Sequence, residues 1–336
     1  MHKSAFLFFK NSRKACESFD KYPSTEELIN AASELNLDSI FAQDFTLTSE
    51  VISEIKQKIP NVKIYGSVTV FAPKNEEENL FDGEAVEVAG LKKPNSDFVG
   101  VCPTYKPVIE RALNDVKDLL KKDVDGIWLD ALRYTTHWET ESPVVLDTCY
   151  CDRCLSMFED FIGEPIEGAD LEEKHLHIDG SYYHEWLKFK TEQIVSFVKA
   201  VKKVISESGK QVELGYFAIP WEDKDYGAGI KRIMAQDFEL LSGLTDMFSP
   251  MLYHKMLGKP VSWVSHMVDY FWQVGAPFLP LVQTENIESN FDANEFKESL
   301  EGAVQKPSSG VCIFYLDDLM LQPDKLKIAK EFFSSN

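Results

Sequence analysis

The stretch "VDGIWLDALRY" (124–134) decides the fold. Val124, Ile127, Trp128 and Leu129 form an apolar run of strand length, and the run stops on Asp130 with Arg133 close behind. A nearly continuous apolar strand fits a parallel sheet covered on both faces. A carboxylate at its end is costly there unless something is gained, which marks that end as the side opening on a cleft.

Seven more runs of the same kind flank it. They are "SAFLFF" (4–9), "SIFAQDF" (39–45), "VKIYGSVTVF" (62–71), "VELGYFAI" (212–219), "MFSPMLY" (247–253), "PFLPLVQ" (277–283) and "GVCIFYL" (310–316). Between them lie segments with apolar residues three and four apart, the spacing of amphipathic helices. The first, "STEELINAASEL", opens on Ser24 with Glu27 three residues on, which predicts a capping box. Eight strand–helix units over this length predict an α/β fold, a (β/α)8 TIM barrel. A doubly wound open sheet also alternates strand and helix, but no G-x-G-x-x-G or P-loop follows any strand. No linker or low-complexity stretch divides the chain, so 1–336 is expected to be a single barrel domain with an inserted, cysteine-containing segment at about 135–181.

The surplus length is placed unevenly. Long loops are expected after strand 3 (about 72–104), strand 4 (about 133–181) and strand 5 (about 220–236). All follow C-terminal strand ends, the active-site face of a barrel, and would wall a cleft there.

A net charge of -20 argues against nucleic acid or an anionic membrane surface, since both need a basic footprint. No stretch of 18 apolar residues offers a membrane span. The opening "MHKSAFLFFKNSRK" lacks the cleavage site of a signal peptide and reads as a first strand. The chain as written is therefore expected in the cytoplasm, and a leader trimmed from it would move that expectation to the periplasm or the exterior. The sequence leaves the oligomeric state open.

The strand ends gather carboxylates, amides and aromatic rings: Gln43 and Asp44; Asp130, Arg133 and Tyr134, with Trp138 beyond; Trp221, Glu222 and Asp223; Tyr253 and His254; Gln283 and Glu285; Asp317 and Asp318. This is the inventory of glycoside hydrolysis, in which two carboxyl groups flank the bond, aromatic faces stack on sugar rings, and amides and Arg hold hydroxyls. Asp130 is the expected nucleophile or charge stabiliser, with Arg133 keeping it ionised. Glu222, Asp237 and Glu285 compete for the acid/base role, Asp237 being equally readable as a helix N-cap. Asp44, Trp128, Arg133, Tyr134, Trp221, Tyr253, His254, Gln283 and Asp317 are expected to bind substrate. A single histidine at the strand ends speaks against a metal-dependent hydrolase, and the chemistry requires no cofactor. A non-catalytic carbohydrate-binding barrel is the alternative.

Three segments carry a family resemblance: "GVCPTYKPVIERALNDVKDLLKKDVDGIWLDALRY" (100–134), "CYCDRCLSMFEDF" (149–161) and "DMFSPMLYHKMLG" (246–258). They resemble TIM-barrel glycoside hydrolases whose "DGIHLDYIRYP"-like fourth strand carries an acid and whose sixth strand faces the cleft. The fourth strand is also similar to the "GFRLDAxxH" motif of alpha-amylase-type enzymes. The resemblance implies a carbohydrate substrate, Asp130 as the acid of strand 4, Tyr253 as a cleft residue, and Glu222 as the position-matched partner. The chain departs at Ala131 and at Tyr134-Thr135, where the usual aromatic residue and proline are missing, and this leaves subfamily and sugar open.

Of six cysteines, only Cys149-x-Cys151-x-x-Cys154 is organised. Three thiols so close suggest a structural zinc, completed by Cys102, His175 or His177, that pins the strand-4 insertion. Free thiols without metal are the alternative.

Overall fold

A computed structural model describes residues 1–9, 23–72, 101–143, 145, 147–284 and 291–335. Each apolar run forms a strand: β1 (His2–Leu7), β2 (Ser39–Gln43), β3 (Lys63–Thr69), β4 (Gly126–Asp130), β5 (Glu213–Ala218), β6 (Met247–Pro250), β7 (Leu281–Gln283) and β8 (Gly310–Phe314). All are parallel, in the order β6-β5-β4-β3-β2-β1-β8-β7. Single bridges, Phe248 to Phe278 and Met251 to Leu281, join the two ends of that order. The sheet closes on itself with helices between its strands: an α/β (β/α)8 barrel, as the alternating pattern predicts.

The helices begin where their sequences signal. In α1 (Thr25–Glu34) the Ser24 side chain accepts from the Glu27 amide while the Glu27 carboxylate accepts from the Ser24 amide. α2 (Ser49–Lys58) is capped by Thr48, and α3 (Lys106–Leu120) has proline in its first turn. The strand-4 insertion folds into α4 (Asp152–Ile162) and α5 (Leu171–Ser181), and leads into the long α6 (Tyr183–Ser208). Two short helices, α7 (Gly229–Arg232) and α8 (Phe238–Ser242), follow β5. α9 (Ser262–Trp272), α10 (Ala293–Ala303), α11 (Leu316–Met320) and α12 (Pro323–Ser335) complete the ring. Most of the expected loop after β3, residues 73–100, lies outside the described residues. No helix among the described residues is long and apolar enough to cross a membrane.

The barrel interior is aromatic. Trp128 packs at 4.6 Å from the Tyr65 ring and 5.1 Å from Phe41, and Phe6 lies 5.5 Å from Phe314 and 6.2 Å from Phe217. Gly215, beside Trp128 in the β4–β5 register, is what admits that indole, because a Cβ there would overlap its ring. The indole N–H donates to Ser249 at 3.0 Å, so the buried ring leaves no donor unsatisfied. Side chains two apart on a strand share a face. Asp130 therefore points the same way as Trp128, inward, one layer nearer the C-terminal mouth.

Candidate active site at the end of strand 4

β4 delivers Asp130 at the mouth of the barrel, half-buried. The next residue, Ala131, takes a left-handed conformation (φ 52°), and its amide donates to Asp130 Oδ1 at 2.7 Å. An alanine held at positive φ is strained, and such strain gathers at functional sites. The turn brings Arg133 back beside the carboxylate. Burial raises the Asp130 pKa above the ordinary carboxylate range; the Arg133 cation and the Ala131 amide pull it back without cancelling the rise. Arg133 is itself buried, and its proton affinity is lowered by burial and restored in part by Asp130 and then Glu139. The sequence expectation that Arg133 would simply keep Asp130 ionised is thus only half the balance, because desolvation is the larger effect.

A stack of rings walls this mouth. Trp138 lies against Tyr253 (6.1 Å between centroids, 23° between planes), and Tyr253 lies against Phe314 (5.0 Å, 22°). The indole nitrogen of Trp138 is buried with no hydrogen-bond partner among the described residues. The Tyr253 phenol is pushed well up by burial and by the charges of Glu139 and Asp130. Gln236, buried at the end of the β5 loop, stitches the floor: its amide nitrogen donates to Leu132 and Phe217 carbonyls at 3.2 and 3.1 Å, and its oxygen accepts from the Ile219 amide at 2.9 Å.

The other expected site residues are scattered among different environments. Trp128, expected to bind substrate, is fully buried and packs against Tyr65 and Phe41. Tyr134 is fully buried beneath the Lys190 ammonium, 4.6 Å from its ring. Trp221 is buried against Tyr226 (4.4 Å). Glu222 bonds His266 at 3.1 Å and Lys224 at 3.0 Å; burial nudges its pKa up, but these partners win and bring it below the usual value. Asp237 caps α8, accepting from the Leu240 amide at 3.1 Å, and pairs with Lys231 at 3.7 Å. The helix-cap alternative is what the structure realises there. Gln283 accepts from the Met256 amide at 2.9 Å, and His254 is buried with Nε2 3.3 Å from Glu295. Asp44 and Asp317 are both buried, Asp317 accepting from the Phe8 amide at 3.4 Å. Glu285 and Cys16 lie outside the described residues.

Behind the mouth sits the cysteine cluster. Cys102, Cys149, Cys151 and Cys154 are buried, and their sulfur atoms all lie within 4.8 Å of one another. Cys102 is 3.3 Å from Cys154 and 3.9 Å from Cys151. Cys151 is the N-cap of α4 and Cys154 sits in its first turn, so the C-x-x-C spacing sets two sulfurs at the positive end of a helix. Arg153 donates to Thr104 Oγ1 at 2.9 Å, and Thr104 touches Cys102 and Cys154 at 3.1 and 3.3 Å. Hydrogen bonds from its three neighbours push the Cys102 thiol well down. The histidines are committed elsewhere, His175 to the Tyr150 hydroxyl (2.9 Å) and His177 to the Glu167 amide (2.8 Å). Cys102, reached from the segment before α3, is the fourth member.

Sequence reasoning missed Lys190 and Gln236. Lys190 is fully buried in α6, where it donates to Asp147 (3.0 Å) and to the Arg232 and Ile233 carbonyls (2.8 and 3.3 Å). It therefore ties the insertion, α6 and the β5 loop together. Its helical position on the apolar face was the available signal.

No family model and no curated protein matches the chain. Among solved structures, the PgaB (BpsB) glycoside hydrolase domain from Bordetella bronchiseptica superposes over 98% of both chains, with a TM-score of 0.74 and 13% identity. Beta-galactosidases from the psychrophilic Marinomonas ef1 (TM-score 0.65, 11% identity) and from Bacillus circulans sp. alkalophilus (0.63, 14%) match over 99% and 94% of this chain. It spans 59% and 50% of theirs. At these identities the likeness shows the barrel fold.

Proposed function

We propose that this barrel is a glycoside hydrolase acting on an oligo- or polysaccharide, with Asp130 as the general acid. The observation that carries the proposal is the half-buried Asp130 on the inner face of β4, whose pKa is raised by burial beside a wall of stacked rings. A carboxylic acid kept protonated above the ordinary range is suited to deliver a proton to a leaving oxygen. This environment favours a proton donor over the nucleophile expected from the amylase-like motif. Trp138 and Tyr253, buried and stacked on one another, wall the mouth beside Asp130, and Arg133 tunes the acid. Among structures of like fold are a glycoside hydrolase domain and a beta-galactosidase, which agree with the reading.

The cysteine cluster fits a structural zinc. Tetrahedral Zn–S bonds of about 2.3 Å place sulfurs nearly 4 Å apart, against 3.3 and 3.9 Å from Cys102 to Cys154 and Cys151 and all four within 4.8 Å of one another. A bound Zn2+ would supply a cross-link between the segment before α3 and the start of α4. Four protein ligands leave no open position, so it would take no part in the reaction.

The test is hydrolysis of a panel of glycans and aryl glycosides by the wild type and Asp130→Asn. Cleavage by the wild type and its loss in the variant are expected. Unchanged cleavage by Asp130→Asn overturns the assignment. Sugar binding without cleavage of any member supports the carbohydrate-binding alternative instead.

A further inference from the structure

Four thiolates around one Zn2+ carry two net negative charges, and all four sulfurs of the cluster are buried. Such a charge is costly away from water unless hydrogen bonds or an opposite charge offset it. Two side chains that are not themselves ligands lie against the sulfurs. Thr104 is buried in the turn closed by the bond from the Tyr105 amide to the Cys102 carbonyl (3.0 Å). Its Oγ1 is 3.1 Å from Cys102 Sγ and 3.3 Å from Cys154 Sγ. Arg153 stands on α4 between Cys151 and Cys154. Its Nε donates to Thr104 Oγ1 at 2.9 Å, and its Nη2 lies 4.0 Å from Cys151 Sγ. The guanidinium sits over the Tyr105 ring, 5.0 Å from the centroid, which helps to hold it there.

Proton counting fixes the direction of these bonds. A guanidinium N–H only donates, so Thr104 accepts from Arg153 and keeps one proton to give. Among the described residues, the hydroxyl's other neighbours are Cys102 and Cys154. A thiolate only accepts, so in the loaded cluster the Thr104 hydroxyl donates to sulfur. The Arg153 charge thus reaches the sulfurs by two routes, through Thr104 and beside Cys151. The N-terminal dipole of α4 acts on Cys151 and Cys154 in the same sense. The fully buried cation of α6, Lys190, is already paired with Asp147 at 3.0 Å.

Resting on the zinc reading above, we propose that Arg153 and Thr104 form the outer layer of this metal site. Arg153 offsets the charge of the tetrathiolate, and Thr104 carries that effect to Cys102 and Cys154 as a hydrogen bond. Both residues therefore set metal affinity and do more than hold the segment before α3 against α4.

The experiment uses the full chain loaded with Zn2+ or Co2+. Affinity is read by competition with a chromophoric chelator, and the sulfur-to-Co2+ charge-transfer band reports on the sulfurs directly. Thr104→Val keeps the side-chain shape without the hydroxyl, and Arg153→Met keeps the stem without the charge. Each should weaken zinc binding by about 10–100-fold. Each should also move the band to lower energy, because a sulfur that loses a hydrogen bond or a nearby cation gives up an electron more easily. Thr104→Ser, which keeps the hydroxyl, should stay near wild type in both readouts. Should Arg153→Met fail to fold, Thr104→Val decides alone. A lowered Tm with affinity and band unchanged in Thr104→Val is the mark of a purely structural tie; it overturns the proposal and leaves the zinc reading standing. A wild type that binds neither Zn2+ nor Co2+ overturns both.

Discussion

The ends of β4 and β5 are neighbours in the sheet, and both carry an acid near an aromatic residue, yet they behave oppositely. At β4, Asp130 is enclosed, has one cation beside it and binds its proton more tightly than usual. At β5, Glu222 meets an ammonium and an imidazole that are 74% and 55% exposed, and it releases its proton more easily. Desolvation wins at the first site and charge pairing at the second. The pattern "acid after a strand" is identical in the sequence; only what packs around it separates a carboxylate of raised proton affinity from one of lowered proton affinity. A buried framework links the two ends, with Gln236 bonding Leu132 after β4 and Phe217 and Ile219 at β5. What differs is the partners of the acid, which at Glu222 are an exposed ammonium and an exposed imidazole.

The comparison breaks most severely if that framework fails. Lys190→Met strands Asp147 and removes donors from two carbonyls, which should cost about 3–5 kcal/mol in urea unfolding, with loss of activity secondary to it. Less severe is loss of the metal clamp. We expect about one equivalent of zinc by elemental analysis, and Cys154→Ser should lower both metal content and Tm. Full zinc content in that variant would mean that the metal sits elsewhere.

Smaller still is the effect of the local charge. The Arg133 cation draws the Asp130 pKa down, so Arg133→Met should raise it. A general acid works only while protonated, so the alkaline limb of kcat/KM should then move to higher pH. A limb that stays in place would show that another group sets it. The mildest change is Glu222→Gln. An exposed pair contributes at most about 1 kcal/mol, so stability and turnover should stay near wild type. A large loss of turnover there would reverse the roles of the two strand ends.

The barrel was legible because periodicity is local. Eight apolar runs, each followed by helical spacing, are visible without knowing any contact. Asp130 was legible for the same reason, being a polar residue where the strand pattern ends. What the sequence could not separate was Glu222 from Asp130, or Asp237 as a cap from Asp237 as a catalyst, because burial and pairing are set by segments far away in the chain. The surroundings of Trp128 were not legible, because an aromatic residue in a strand looks alike whether it faces a sugar or packs against Phe41 and Tyr65. Cys102 joined the cysteine run across 47 residues, a pairing only the fold makes plain.

The central claim is that Asp130 donates the proton to the leaving group, and leaving-group dependence tests it most directly. The measurement is kcat/KM of wild type and Asp130→Asn across aryl glycosides graded by phenol acidity. For a general acid, the variant should lose about 1000-fold on poorly acidic leaving groups and little on dinitrophenolates, which depart without a proton. An equal loss across the whole series, or none, would contradict it.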